Sequence, residues 1–344
     1  MPLLPEDRRR RGAAARPTTA IVFVVPALTR WLDFQTATLA LRFRDIRTNA
    51  GVTTSSQAQD QEQFKWRVKL DPQGRYVVNF GLFTGATFTA GWNNTGIGAG
   101  DNGYSLVFKQ LSFEAQPVTG ITGQIGSLYF WRGESTEITT FDNDGYTNGE
   151  RISVKRPKEL FFDELVFTHS YIGDLSTPNV FRRPNRLDDA NYWQYAVAKT
   201  FSKRAGVSLD YSVQSQADIL RGAARLSTKE LKFVDTLRWE GYRRVDHLPA
   251  GGSAISGEKA VTSRLTAGFG YATIDPHYGT LNGERYGIGR HLFAIGSFAA
   301  TPEWTLGYYV GRGIANDFKV PIGTRVEVIL TYNLLKTLQR AHLF

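Results

Sequence analysis

The sequence predicts an all-β fold, a transmembrane antiparallel up-and-down β-barrel of about sixteen strands. Three observations carry this. Apolar and polar residues alternate with period two along most of the chain. The alternating segments run to about ten residues, the length of a tilted membrane strand. Short turns trade places with long Gly/Asn/Asp/Ser-rich loops, the rhythm of a barrel with one short-turn end and one long-loop end.

Residues 1–33 stand apart. Arg8 to Arg11 form a basic stretch, and Ala20 to Leu28 a short apolar run broken by Pro26. Val25-Pro26-Ala27 offers small residues where a signal peptidase would cut. A secretory signal with a minimal apolar core and a disordered basic tail both fit, and the choice stays open. The barrel is expected over 34–334, with 335–344 as a tail or the end of the last strand.

The strands follow in order. Ala37, Leu39, Leu41 and Phe43 alternate with Thr38, Arg42 and Arg44. In FKWRVKLDPQGRYVVNFGL (64–82), Phe64, Trp66 and Val68 alternate with Lys65, Arg67 and Lys69, and DPQG makes a turn. Leu111, Phe113 and Ala115 alternate with Gln110, Ser112 and Glu114. Ile121 to Trp131 follow the Pro117–Gly120 turn, and Phe161 to Tyr171 make a further row. Trp193 to Val197 and Val207 to Val213 flank a turn at 202–206. Leu220, Ala224 and Leu226 oppose Arg221 and Arg225. Phe233, Leu237 and Trp239 oppose Arg238 and Glu240. Val261, Leu265, Ala267, Phe269 and Tyr271 oppose Thr262, Arg264 and Thr266. Phe293 and Ile295, then Trp304 to Val310, then Val326 to Tyr332 against Arg325 and Glu327 complete the set.

These are about fourteen strands, and the up-and-down order fails twice. A short turn at 202–206 falls on the long-loop side, and the long 244–259 link falls on the short-turn side. Two further strands, near 173–190 and near 244–258, restore the order. Sixteen is therefore favoured, with fourteen and eighteen open.

Composition narrows the function. At 42% hydrophobic the chain is too apolar to stay disordered, and it has no Cys, so no disulfide framework, thiolate zinc site or thiol nucleophile. No apolar run is long enough for a membrane-spanning helix, which needs about eighteen residues. A net charge of +9 points to anionic partners. The cations lie opposite the aromatics rather than beside them, which argues against nucleic-acid binding.

A soluble sandwich also alternates, so alternation does not decide between sandwich and membrane barrel. The charge on the non-aromatic face of successive strands favours a water-filled lumen. So do Tyr and Trp near strand ends (Trp131, Tyr171, Trp193, Tyr271, Trp304, Tyr332), placed as an interfacial girdle. In lipid, strands satisfy their backbones only in a closed barrel.

The segment LVFKQLSFEAQPVTGITGQIGSLYF (106–130) resembles the strand–turn–strand unit of bacterial outer-membrane porins. The rhythm of 34–334 is similar to porins and alginate-export-type channels. The resemblance implies a channel in the bacterial outer membrane, termini on the periplasmic side, insertion by the barrel-assembly machinery and a possible homotrimer. Residues 334–343 break the alternation before the terminal Phe344, so the assembly signal is expected in Val326 to Leu334.

The expected chemistry is selection rather than catalysis, without a cofactor. Arg42, Arg44, Lys65, Arg67, Lys69, Arg238, Arg264 and Arg325, with Glu114 among them, are the candidate pore-lining residues. Rings of such cations favour anions or acidic sugars among small hydrophilic solutes, and the lipid bilayer is the other partner. Asp142, Asp144, Asn148 and Glu150 place oxygens at alternate positions, as calcium loops do. They lack the EF-hand glycine and terminal glutamate in register, and a solvated loop explains them better. Gly98 to Gly103 matches G-x-G-x-x-G, but a strand follows where the dinucleotide fingerprint needs a helix. His169 shares parity with Phe167 and Tyr171 and belongs to the outer face. The alternative is a secreted or surface β-rich protein that binds glycans through exposed aromatics such as Trp92 and Tyr104.

Overall fold

The structure, a computed structural model, describes residues 30–341 except 49, 88–89, 135–144, 157–159, 173–179, 183–188, 203, 215–216, 229–232, 247, 249, 278–285 and 316–322. The strands are β1 (Leu32–Thr48), β2 (Thr53–Lys69), β3 (Tyr76–Thr84), β4 (Asn93–Gly98), β5 (Leu106–Val118) and β6 (Ile121–Tyr129). Then come β7 (Tyr146–Val154), β8 (Glu164–Tyr171), β9 (Tyr192–Ser202), β10 (Ala205–Gln214), β11 (Ala217–Ser227) and β12 (Thr236–Arg244). The last are β13 (Gly251–Ala260), β14 (Leu265–Ile274), β15 (Gly289–Ala299), β16 (Trp304–Ala315) and β17 (Gly323–Asn333), followed by helix α1 (Leu334–Arg340).

Each strand pairs antiparallel with its neighbours, and β1 pairs with both β2 and β17, so the sheet closes. β3 covers only the Gln63–Lys69 part of β2, and β4 takes over beside Gln57, Gln59 and Asp60. The pair fills one place in the wall, and the result is a closed barrel of 16 strands. Closure leaves no edge.

Over most of the wall the outer face is apolar and uncovered. Leu41 is 59% exposed, Leu209 50% and Leu292 51%, each in mid-strand, where a soluble barrel would bury such side chains under helices or a second sheet. Trp66 stacks on Phe80 on this face with ring centroids 5.5 Å apart. His169 also faces outward, 3.2 Å from Glu150 and against the ring of Trp193.

The two strands missing from the sequence count fall at β7 and β13. β13 lies where the second was expected. The first lies at 146–154, inside a segment read as loop, and not near 173–190, where the described residues hold only a short 3-10 turn, Val180–Arg182. β2 also begins well before Phe64, at Thr53.

The inner face is less polar than the alternation predicts. Phe293 and Ile295, the apolar row read for this strand, turn inward, while Leu292 and Phe298 hold the outer positions. Phe293 fits because Gly270 opposite it has no side chain: a Cβ there would lie 2.3 Å from the Phe293 ring. Around it, Ile219, Tyr242, Ala254, Ala272, Ile274, Tyr286 and Tyr309 form a buried inner cluster.

Helix α1 lies at the short-turn end. Asn333 caps α1 by accepting from the Lys336 amide, Tyr332 bonds Thr337 at 2.7 Å, and Arg340 pairs with Glu303 at 2.7 Å. At the other end, just after β12, Arg244 Nη2 donates to Asp246 at 2.5 Å. That hydrogen bond, with those from the Leu248 and Asp218 amides, holds the Asp246 carboxyl down to about 2. A lowered carboxyl pKa adds stability above the ordinary carboxylate range and loses it as pH falls through the folded value. Protection of the Leu248 amide, its exchange relative to the intrinsic rate at each pH, is therefore expected to hold down to about pH 3 and to fall near pH 2. Asp246→Asn should show the lowered protection already at pH 7.

Candidate channel constriction

Wall charges gather on β1 and β17. Glu327 receives three guanidinium groups: Arg44 through Nε, Arg325 at 2.8 Å and Arg42 at 3.8 Å. Arg44 and Glu327 face each other across the β1–β17 ladder, and Arg42 lies one inward position along β1. Arg42 also donates to Gln59, and the Gln59 amide donates to Asn94 at 2.9 Å. The guanidinium lies 4.2 Å from the centre of the Trp92 ring, so the aromatic offered for glycan contact is turned into the barrel. Tyr104, its supposed companion, is 67% exposed.

Lys65 points inward beneath two rings, 5.2 Å from Phe83 and 4.6 Å from Tyr129. Arg67 pairs with Asp33 at 2.8 Å near the short-turn end, and Lys69 closes β2 there. Glu114 accepts from Gln124 at 2.8 Å. Arg238 stands on the inner face of β12 opposite Arg225. Arg264 departs from the expectation. It lies in the exposed turn before β14, where its amide donates to Thr262 Oγ1, and it is not part of the wall. A turn of four residues between β13 and β14 takes up the position that strand alternation had assigned to it.

Two chain segments fold into the barrel. Residues 90–92 lie on the inner wall, where the Ala90 carbonyl accepts from Lys109 and the Gly91 carbonyl from Gln61 and Thr84. The second segment leaves β6 and reaches across to β9, β10 and β11. The Trp131 carbonyl accepts from Gln194 at 2.9 Å and from Arg221 at 3.5 Å. The Glu134 amide donates to Ser208, and its carboxylate takes Arg225 at 2.9 Å. Trp131 is therefore an interior residue and not part of an outer girdle. Beneath the segment Arg221 donates to Asp210 at 2.7 Å, with both side chains 2% exposed.

The remaining candidates separate. Asp142 and Asp144 lie outside the described residues. Asn148 and Glu150 belong to β7, Asn148 buried and Glu150 exposed beside His169. Among the described residues no group of three or more His, Asp or Glu side chains is placed to hold a metal ion. Gly98 to Gly103 closes β4: the Gly103 amide donates to Asn94 and no helix follows.

A closed barrel with an apolar exterior, charged inner wall and inward-folded segments defines a porin-like β-barrel. Solved porins share the architecture. OmpF of Salmonella typhi, in complex with daunomycin, superposes with a TM-score of 0.56 at 12% identity, over 88% of this chain and 97% of that one. A Rhodopseudomonas blastica porin triple mutant does so with a TM-score of 0.56 at 11% identity, over 87% and 99%. At such identities the likeness is one of fold. The sequence matches no family model and no curated protein.

Proposed function

We propose that this chain is an outer-membrane porin that passes small hydrophilic solutes by diffusion, with a basic lumen that favours anions or acidic sugars. The observation that supports this reading most is the convergence of Arg42, Arg44 and Arg325 on Glu327, three guanidinium groups against one carboxylate on one patch of inner wall. Fixed cations in a narrow aqueous path raise the local concentration of anions and lower that of cations. The inward segments at 90–92 and 130–134 bring solute close to the walls, where such fields act within about 10 Å at 0.1 M salt.

In this reading the termini and α1 lie on the periplasmic side and the long links outside. Insertion would use the assembly machinery, with β17 as the recognised strand. A homotrimer would cover part of the apolar exterior.

The test is electrical. Purified protein in a planar bilayer under a salt gradient should conduct, and its reversal potential should have the sign of anion preference. Absence of conductance in a correctly folded, heat-modifiable barrel would end the channel reading. A cation-preferring potential would end the basic-lumen reading alone.

A further inference from the structure

The structure assigns a second feature to the inner wall, and its role rests on the channel reading: we propose a docking site for small ring-bearing carboxylates of the benzoate type. Above the arginine cluster, between β1, β15, β16 and β17, lies an open pocket of about 200 Å³. Ile46, Tyr286, Ile288, His291, Tyr309 and Arg325 line it. Tyr286 and Tyr309 belong to the inner aromatic cluster, each in ring contact with Phe293, at 5.0 and 6.2 Å. The pocket is thus a gap at the edge of a packed apolar surface that faces the lumen.

Three features choose the ligand. Size is the first, because drug-sized ligands occupy about 300–1,000 Å³ and this pocket is smaller. One six-membered ring with a short acid group fits it, and a disaccharide does not. Charge is the second. Arg325 lies at the pocket's edge, with Nη2 on Glu327 at 2.8 Å and the guanidinium 5.6 Å from the Tyr309 ring. A guanidinium in a fixed plane suits a carboxylate better than a point anion.

Polarity is the third, and it separates aromatic acids from sugar acids. A sugar ring needs hydrogen-bond partners for several hydroxyls. Three of the polar side chains at the cavity each already hold one protein partner, and the Tyr286 and Tyr309 hydroxyls and Thr324 complete its polar lining. His291 Nε2 lies 2.8 Å from the Ile288 carbonyl, Thr54 donates to the Ile46 carbonyl, and Thr48 Oγ1 accepts from the Val52 amide. The exposed lining is nevertheless mostly apolar, with Arg325 at one edge and Arg47, paired to Asp45 at 2.6 Å, at another.

Position gives the site a use. Ile46 is the next inward residue of β1 after Arg44, and Arg325 the next inward residue of β17 after Glu327. A solute entering from the long-loop end would meet the aromatic pocket and then pass to Arg44 and Arg42. Docking would raise the occupancy of such solutes beside the selective patch.

The test uses the full folded chain with sodium benzoate and sodium glucuronate as probes, by calorimetry in detergent and by current noise in bilayers. Benzoate should bind with saturation and interrupt the current, glucuronate at the same concentration should do neither, and Ile288→Glu or Arg325→Gln should weaken benzoate at least tenfold. Equal binding of both probes, or no benzoate binding to a conducting barrel, overturns the aromatic site and leaves the channel reading intact. Benzoate binding that both variants weaken, in a barrel that does not conduct, keeps the site and removes the channel. Benzoate binding that neither variant weakens places the ligand elsewhere and refutes the assignment.

Discussion

In the proposed channel, replacing Arg42, Arg44 and Arg325 together with Glu is expected to reverse the ion preference. The three side chains surround Glu327, and the change moves six units of charge on one patch of wall. At 4 Å each unit pair is worth about 1 kcal/mol in bulk water and about 4 kcal/mol near protein. A shift of 1.4 kcal/mol is a factor of about ten in partition. The anion-to-cation permeability ratio should therefore fall by at least about tenfold at 0.1 M salt. At 1 M, where the screening length is about 3 Å, wild type and variant should converge. Four carboxylates in one patch also repel, so folding needs its own check by heat-modifiable gel mobility. The triple Gln variant, which moves half the charge without repulsion, should fall between the two. A folded triple Glu variant with an unchanged reversal potential would show that these arginines do not set selectivity.

Much of this arrangement was legible in the sequence, and the exceptions have physical causes. Strands with a full apolar outer row, such as Phe64 to Val68 or Leu265 to Tyr271, announced themselves. β7 did not, because Glu150 stands outward among few apolar side chains, with only Ile152 and Val154 apolar after it. β13, GGSAISGEKA, carries a single large apolar side chain, so only the failed up-and-down order betrayed it. The early part of β2, TTSSQAQDQEQ, is polar on both faces, with Asp60 and Glu62 set opposite Leu41 and Leu39. Helix α1 had a usable signal in the capping Asn333 and the spacing of Leu334, Leu335 and Leu338.

The wall arginines were placed by parity alone, which holds wherever a strand is regular and fails for Arg264, one residue outside one. What parity could not give was the inward aromatic cluster. Phe293 looks like any outer residue until Gly270 and Gly311 are seen opposite it on both neighbouring strands. Nor could it give the path of 130–134, since the contacts of Trp131 and Glu134 are to residues 60 or more positions away.

That path makes the second large prediction. Arg221→Met should lower stability sharply, because it leaves the Asp210 carboxylate buried without its guanidinium. Removing one partner of a buried ion pair costs about 3–5 kcal/mol. The variant should unfold at lower urea than wild type, whereas Asp210→Leu with Arg221→Met should recover only part of the loss, because buried Glu240, which also lies in the field of Arg221, keeps its charge. Arg225→Ala should behave differently. Its partner Glu134 is part of the inward segment, and the pair is about a fifth exposed, so stability should change by no more than about 1 kcal/mol. Conductance should change instead. The segment would keep the Trp131 carbonyl on Gln194 and lose its side-chain tie to β11, leaving Glu134 able to swing away from the wall. Single-channel current should become noisier, with a changed mean, at unaltered gel mobility. The contrast between the variants follows from depth: one cation holds the wall together beneath the segment, and the other fixes the segment to the wall. If Arg225→Ala proves as destabilising as Arg221→Met and leaves the current quiet, residues 130–134 act as packing for the wall and do not shape the pore.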